Sequence, residues 1–259
     1  MKLNVVILGC GKLGSQLAGR VSQSKYTLTQ VYNRTLSKCR RVGKKCNVDY
    51  TSALSKINPN ADVYIISISD DAIKGFAKSL LNIIPEKATV LHTSGAGKKE
   101  LVSKYFENGG VFWPMQSFSH KKNVDWSRVP ILFEGSNKNT IKLISSLAKT
   151  IGGESRALSF EQRQWMHLVA VFANNFPNFI FGVAHELCVQ NKLPWPFFES
   201  ILAETSKLAI DGTSAQFQSG PAARDDKATI KRQLKLLASN SPEKKMYQLM
   251  SKLISESEK

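Results

Sequence analysis

Apolar and polar positions alternate in two different ways along the chain. Up to about residue 158, short apolar runs rich in β-branched residues take turns with stretches whose apolar residues recur every three or four positions. The runs Leu3–Leu8, Thr27–Tyr32, Asp62–Ile68 and Thr89–His92 read as strands, with a shorter one at Val48–Tyr50. Helical spacing follows three of them: Leu17, Ala18 and Val21; then Leu36–Arg41; then Ile73, Phe76, Ala77 and Leu80 behind a Ser69-Asp70-Asp71 start signal. Leu101–Phe106 reads as a further helix. Strands at 110–116 and 129–134, a helix at 140–151 and a last strand at 154–158 complete this part. Strands separated by helices predict an α/β fold with a doubly wound, mostly parallel sheet, whose ligands sit at the carboxyl ends of the strands. From 160 to 259 only helical spacing is left, over 161–190, 197–211, 227–239 and 244–255, with Pro177 expected to kink the first of these helices. The pattern therefore predicts two domains, 1–158 and an all-helical 159–259.

The first strand runs into Gly9-Cys10-Gly11-Lys12-Leu13-Gly14 and then a helix. In that context the glycines have separate tasks. Gly9 permits the tight turn, Gly11 lets the backbone approach a pyrophosphate, and Gly14 lets the helix pack close to the strand. The second strand ends at Asn33-Arg34-Thr35, where an NAD site would place an acid for the ribose hydroxyls. No acid stands there. Arg34 is suited to a 2′-phosphate, with Asn33 and Thr35 adding hydrogen bonds and Lys38, Arg40 and Arg41 adding positive potential, so the expected cofactor is NADP. The strand ends bring Ser67, Ile68, Ser69 and Ser94 to the same rim.

Composition narrows the partners. The formal charge of +16 favours anionic ligands. The basic residues are spread out and no nucleic-acid motif accompanies them, so no specific nucleic-acid partner is expected. Cys10, Cys39, Cys46 and Cys188 form no C-x-x-C pair, which predicts reduced thiols, a cytoplasmic setting and no metal site. No stretch reads as long and apolar enough to span a bilayer, so no membrane partner is expected.

A hydride-transferring enzyme needs one group to handle a proton. His92, at the end of the fourth core strand, is one candidate, and Ser94 is placed to bind cofactor or substrate or to cap the next helix. On the helix from Glu161, His167, Asn174, Asn178 and His185 are spaced to fall on one stripe, which makes His167 the second proton candidate and Asn174 or its neighbour Asn175 a cleft residue. Arg224, behind Gly220-Pro221, has the fork to clamp a substrate carboxylate, or to pair with Asp225 or Asp226. Gln116 is a further polar group near the rim.

Taken together, the glycine turn, Asn33-Arg34-Thr35, His92-Thr93-Ser94-Gly95, Pro114-Met115-Gln116-Ser117-Phe118 and Gly220-Pro221-Ala222-Ala223-Arg224-Asp225-Asp226 resemble one family. It is the Rossmann-like proteins with a DUF2520 C-terminal domain, related to NADP-dependent coenzyme F420 oxidoreductases, pyrroline-5-carboxylate reductases and prephenate dehydrogenases. The resemblance covers essentially the whole chain. It implies an NADP-binding Rossmann domain, a helical domain like that of 6-phosphogluconate dehydrogenase, and a homodimer formed through those helices; it points to Asn175 where the periodicity points to Asn174. Two departures stand out. Hydroxyacid dehydrogenases carry Lys and then Asn four residues later on the first long helix, where this chain has His167 and Val171; prephenate dehydrogenases place His before Pro-Met, where this chain has Trp113. The expected activity is NADP-dependent hydride transfer to or from a small C=O or C=N substrate, the alternative being a noncatalytic NADP-binding redox sensor or scaffold.

Overall fold

The computed structural model describes residues 3–119 and 124–257. The chain divides into two compact units, one ending at Val171 and one running from Phe172.

The first unit is built on an eight-stranded sheet of order β3-β2-β1-β4-β5-β6-β7-β8: β1 Asn4–Leu8, β2 Thr27–Tyr32, β3 Asp49–Thr51, β4 Val63–Ile66, β5 Thr89–His92, β6 Asn108–Pro114, β7 Ile131–Gly135 and β8 Ser155–Ala157. All pairings are parallel except β6 with β7. Strand order reverses at β1, which leaves a crevice at the carboxyl ends of β1 and β4, where open α/β sheets take ligands.

Helices cover both faces, so the central strands are apolar on both. β1 sends Val5 and Ile7 to one layer and Val6 and Leu8 to the other. The first layer is closed by α1 (Lys12–Ser22) through Leu17, Ala18 and Val21, by α2 (Leu36–Cys46) through Cys39 and Val42, and by α5 (Lys138–Ile151) through Ile144, Leu147 and Ile151. The opposite layer uses Ile73, Ala77 and Leu80 of α3 (Asp70–Ser79) and Val102 of α4 (Glu100–Ser103).

The first unit runs on past Ser159, where the change of pattern placed the domain end, through α6 (Phe160–Ala170). A capping box starts this helix: Ser159 Oγ accepts from Gln162 N (3.2 Å) and the Gln162 side chain accepts from Ser159 N (2.9 Å). Arg163, fully buried, then anchors it to the sheet.

The second unit holds α7 (Phe176–Gln190), α8 (Glu199–Asp211), α9 (Lys227–Leu236) and α10 (Pro242–Ser257). Asp226 caps α9 by accepting from Thr229 N at 2.9 Å, and α8 stops at Gly212 in the left-handed conformation (φ 71°). Pro177 does not bend an otherwise regular helix. The chain opens into a wide π turn over Val171–Asn175 just before it, because proline offers no N–H and its ring crowds the carbonyl four residues back.

The expectation that no stretch could span a bilayer needs correction. Phe160–Gln190 is a 31-residue helical run long and apolar enough to do so, and none of its most apolar window is buried. Length and composition alone are weak evidence of spanning. The run also contains the π turn, Pro177 and the polar Asn174, Asn175 and Asn178.

Candidate functional site

At Gly9 and Gly14 the glycine turn has the close contacts its spacing predicts. Gly9 has φ +118°, and a Cβ there would lie 2.1 Å from Ser67 O; a Cβ on Gly14 would lie 1.9 Å from Gly9 O. Neither position admits a side chain. Beside Gly11 there is open space, and no side chain caps the first turn of α1, so the helix start is left for an anion. Lys12 is exposed and Leu13 packs on the core beneath the turn.

Two of the expected cofactor residues turn out to brace this loop. Asn33 Oδ1 accepts from Cys10 N (3.0 Å) while its Nδ2 donates to Thr35 O (3.3 Å), tying the turn after β1 to the turn after β2. The Cys10 thiol is buried and its pKa is pushed up to about 12, first by desolvation, so it stays an inert thiol.

A cavity of about 270 Å³ opens beside this brace, lined by Gly9, Tyr32, Asn33, Arg34, Thr35, Lys38, Ile68, Ser69, Ala72 and Phe76. One part is apolar: Ile68 and Ala72 lie with Tyr32 and Phe76, whose rings stack at 5.5 Å. The other part carries two cations, Arg34 and Lys38, and among the described residues no carboxylate lines it. An aromatic and aliphatic wall beside a guanidinium and an ammonium fits an adenine ring with a phosphate on its ribose. Gly9, Arg34, Thr35, Ile68 and Ser69 were expected here. Tyr32, Ala72 and Phe76 were not; Ala72 and Phe76 fall one helical turn apart behind Ser69, a signal the sequence held.

Across the crevice the site differs more from expectation. His92 is fully buried and both ring nitrogens are occupied: Nδ1 accepts from Ser94 N (3.3 Å), so Nε2 carries the proton and donates to Lys98 O (3.0 Å). Burial pushes its pKa down to about 4. The one proton of this sealed neutral imidazole is held by Lys98 O and its other nitrogen by Ser94 N, so His92 serves as a structural residue of the loop rather than an acid. Ser94 is also committed: its Oγ donates to Asp70 Oδ2 (2.7 Å) and accepts from Gly97 N (2.8 Å). It caps the following turn and binds the loop to the start of α3.

Three charged residues to which the sequence reading gave no role complete this corner. Arg163 Nη2 donates to Glu134 Oε2 and Lys99 Nζ to Glu134 Oε1, both at 2.7 Å. Burial alone would raise the Glu134 pKa, but the hydrogen bonds and charges of Lys99 and Arg163 outweigh it and hold the carboxyl below its ordinary range. No motif marks Arg163 or Glu134, because sheet pairing brings β7 within reach of α6.

The stripe drawn on the long helix is divided between the two units, and a π turn over Val171–Asn175 interrupts the uniform helical repeat it assumed. His167 is exposed in the first unit, its ring 6.0 Å from that of Trp113. Asn174 and Asn175 are exposed in the second unit, with Asn174 Nδ2 donating to Asn175 Oδ1 at 3.5 Å. His185 packs edge-on against Trp195 at 5.0 Å. Arg224 is exposed in the second unit, and it is Lys227, not Arg224, that pairs with Asp225 (3.3 Å). Gln116 is exposed and accepts from Ser117 N. Among the described residues, no group of three or more His, Cys, Asp or Glu side chains is placed to hold a metal ion.

A Rossmann sheet with a glycine turn, a cationic nucleotide cavity and a helical C-terminal unit defines a pyridine-nucleotide oxidoreductase fold. The family model for coenzyme F420-dependent NADP oxidoreductases matches residues 4–94, and that for DUF2520, a domain of unknown function, matches residues 129–254. A Bacteroides fragilis protein described as a candidate NADP oxidoreductase is similar over 98% of both chains, at 30% identity and TM-score 0.92. A Thermotoga maritima protein shares the fold at 18% identity, TM-score 0.70 and 98% coverage of both chains. An imine reductase variant from Myxococcus stipitatus, in complex with NAD+, shares it at 14% identity and TM-score 0.64, over 99% of this chain and 94% of that one. No curated protein matches the sequence. The chain belongs to the NADP oxidoreductase family that couples this nucleotide-binding domain to a DUF2520 domain.

Proposed function

We propose that the protein is an NADP-dependent oxidoreductase acting on a small C=O or C=N substrate. The observation that carries the cofactor choice is the cavity beside β2, with Arg34 and Lys38 in its wall and, among the described residues, no carboxylate. An NAD site would need an acceptor for the ribose hydroxyls there. Arg34 and Lys38 would hold a 2′-phosphate, Tyr32, Phe76 and Ile68 would cover the adenine, and the start of α1 would take the pyrophosphate. When bound, the nicotinamide supplies the hydride; the chain has to supply the proton and keep the reacting parts in place.

His167 is the residue we assign to the proton. With His92 sealed off, it is, among the described residues, the imidazole of the first unit left open to solvent, and Trp113 beside it packs against Gly95 of the loop that continues β5. An exposed imidazole can recover its proton from water between turnovers. NADPH oxidation screened against imines, keto acids and aldehydes tests this. A substrate turned over by the wild type should be turned over about 100-fold more slowly by His167→Ala, with NADP affinity unchanged. Turnover equal in the two proteins would remove His167 from the mechanism. The noncatalytic sensor remains the second reading, favoured by the removal of His92 from proton chemistry; tight NADP binding with no turnover across the panel would support it.

We further propose that the protein is a homodimer through its helical unit. Phe172 and Phe179 are 63% and 62% exposed, and Phe176, Val189 and Leu193 are exposed with them. An apolar face of this extent is the usual mark of a surface that meets another protein.

A further inference from the structure

Arg163 is among the largest fully buried side chains of the described residues and carries a full charge out of water. Its Nη1 donates to Gly95 O (3.0 Å) and Gly97 O (2.8 Å), and its Nη2 to Glu134 Oε2 (2.7 Å). Among the described residues its Nε has no partner. For stability alone an apolar side chain of similar volume would serve as well or better, since a buried charge with an unused donor is expensive to desolvate. What an apolar side chain could not do is grip two carbonyls of one short loop with a rigid fork.

That loop, Thr93–Gly97, continues β5 onto the rim at the carboxyl ends of the strands. It is pinned from three directions: by His92 beneath it, by Asp70 at the start of α3 through Ser94, and by Arg163 from α6. A Cβ on Gly95 would lie 2.5 Å from the Trp113 ring, so the loop has no room to shift that way. His167 lies four residues after Arg163 on α6, hence on the same helix face, and its ring meets the other side of the contact at Trp113. Fixing Arg163 to the loop thereby fixes the height of His167 relative to it.

We infer that Arg163 is a positioning residue that locks the Thr93–Gly97 loop and His167 into one frame, against the half of the dinucleotide that does not occupy the cavity beside β2. The inference rests on the NADP reading above. Neither Arg163 nor any of its partners Gly95, Gly97 and Glu134 lines that cavity, so the adenosine end should not feel Arg163, whereas the nicotinamide end should.

The test compares two probes in wild type, Arg163→Lys and Glu134→Gln, each first checked for folding by thermal melt and circular dichroism: 2′,5′-ADP by calorimetry and NADPH by nicotinamide fluorescence. Arg163→Lys should leave 2′,5′-ADP affinity unchanged, weaken NADPH about tenfold and reduce its fluorescence enhancement, as expected for loss of charged hydrogen bonds that order one end of a ligand. Glu134→Gln, which keeps Arg163 but removes its charged acceptor, should show the same split more weakly, and it decides the matter if Arg163→Lys does not fold. NADPH binding unchanged in a folded variant, or both probes weakened alike, overturns the inference. Wild type that binds neither probe removes the NADP reading, and the inference with it.

Discussion

His92 illustrates how residue type and position can agree on a role that packing then removes. A histidine at the end of a core strand, on the ligand-binding rim, is a natural proton donor by position; two backbone partners and complete burial make it part of the loop's framework instead. The consequence can be measured. In the unfolded chain the imidazole takes up a proton near pH 6.5, in the folded one only near pH 4, so lowering the pH favours the unfolded state between these values. Stability from this group is fully present above about pH 6.5 and declines by roughly 3 kcal/mol as the pH falls to about 4. Denaturant unfolding of wild type and His92→Gln across that range should give a steeper acid loss for wild type; parallel curves would mean that His92 is not sealed. The Glu134 carboxyl, whose pKa is lowered by its two cationic partners, adds its own loss further into acid, beginning at the ordinary carboxylate range and continuing below it. Arg34 is the opposite case from His92. Its place in the cavity wall was legible because it depends on sequence distance from a glycine turn, while the pairing of Arg163 with Glu134 was not, because their meeting depends on how β7 and α6 pack.

Among the elements, the strands were read most securely. Val63–Ile66 and Thr89–His92 are apolar on both faces, and only a parallel strand covered by helices on both sides asks for that. The glycine turn was equally legible, since Gly9 and Gly14 are required by backbone contacts between elements already adjacent in sequence. The long helix from Phe160 was read as an element but not in its phase: a π turn before Pro177 adds rotation that a uniform helical repeat cannot foresee, and the four-residue polar stripe was lost with it. Its ownership was also missed, because the anchor that keeps α6 with the first unit is a single buried arginine. The apolar exposure of α7 leads to a prediction for that element. Light scattering of the wild type should give twice the 28.8 kDa chain mass, and Phe179→Glu, which puts a charge into the 62% exposed apolar position, should shift it to the monomer at micromolar concentration. A wild-type monomer, or a Phe179→Glu dimer, would place the interface elsewhere or remove it.

For the whole molecule, the excess of positive charge and the strand order act in the same direction. A formal charge of +16 raises the local concentration of any phosphorylated ligand, and the switch at β1 gives it a crevice with a helix start at its base. On the proposed reading, Arg34 and Lys38 would turn that general attraction into a choice between two nucleotides that differ by one phosphate. The central claim is therefore tested most directly by parallel titrations of NADP and NAD into the wild type and Arg34→Ala. The account predicts that the wild type binds NADP about 100-fold more tightly than NAD, and that Arg34→Ala loses most of that preference by weakening NADP alone, as removal of a charge-assisted contact to the 2′-phosphate requires. Equal affinity of the wild type for both nucleotides, or a preference that survives in Arg34→Ala, would contradict it.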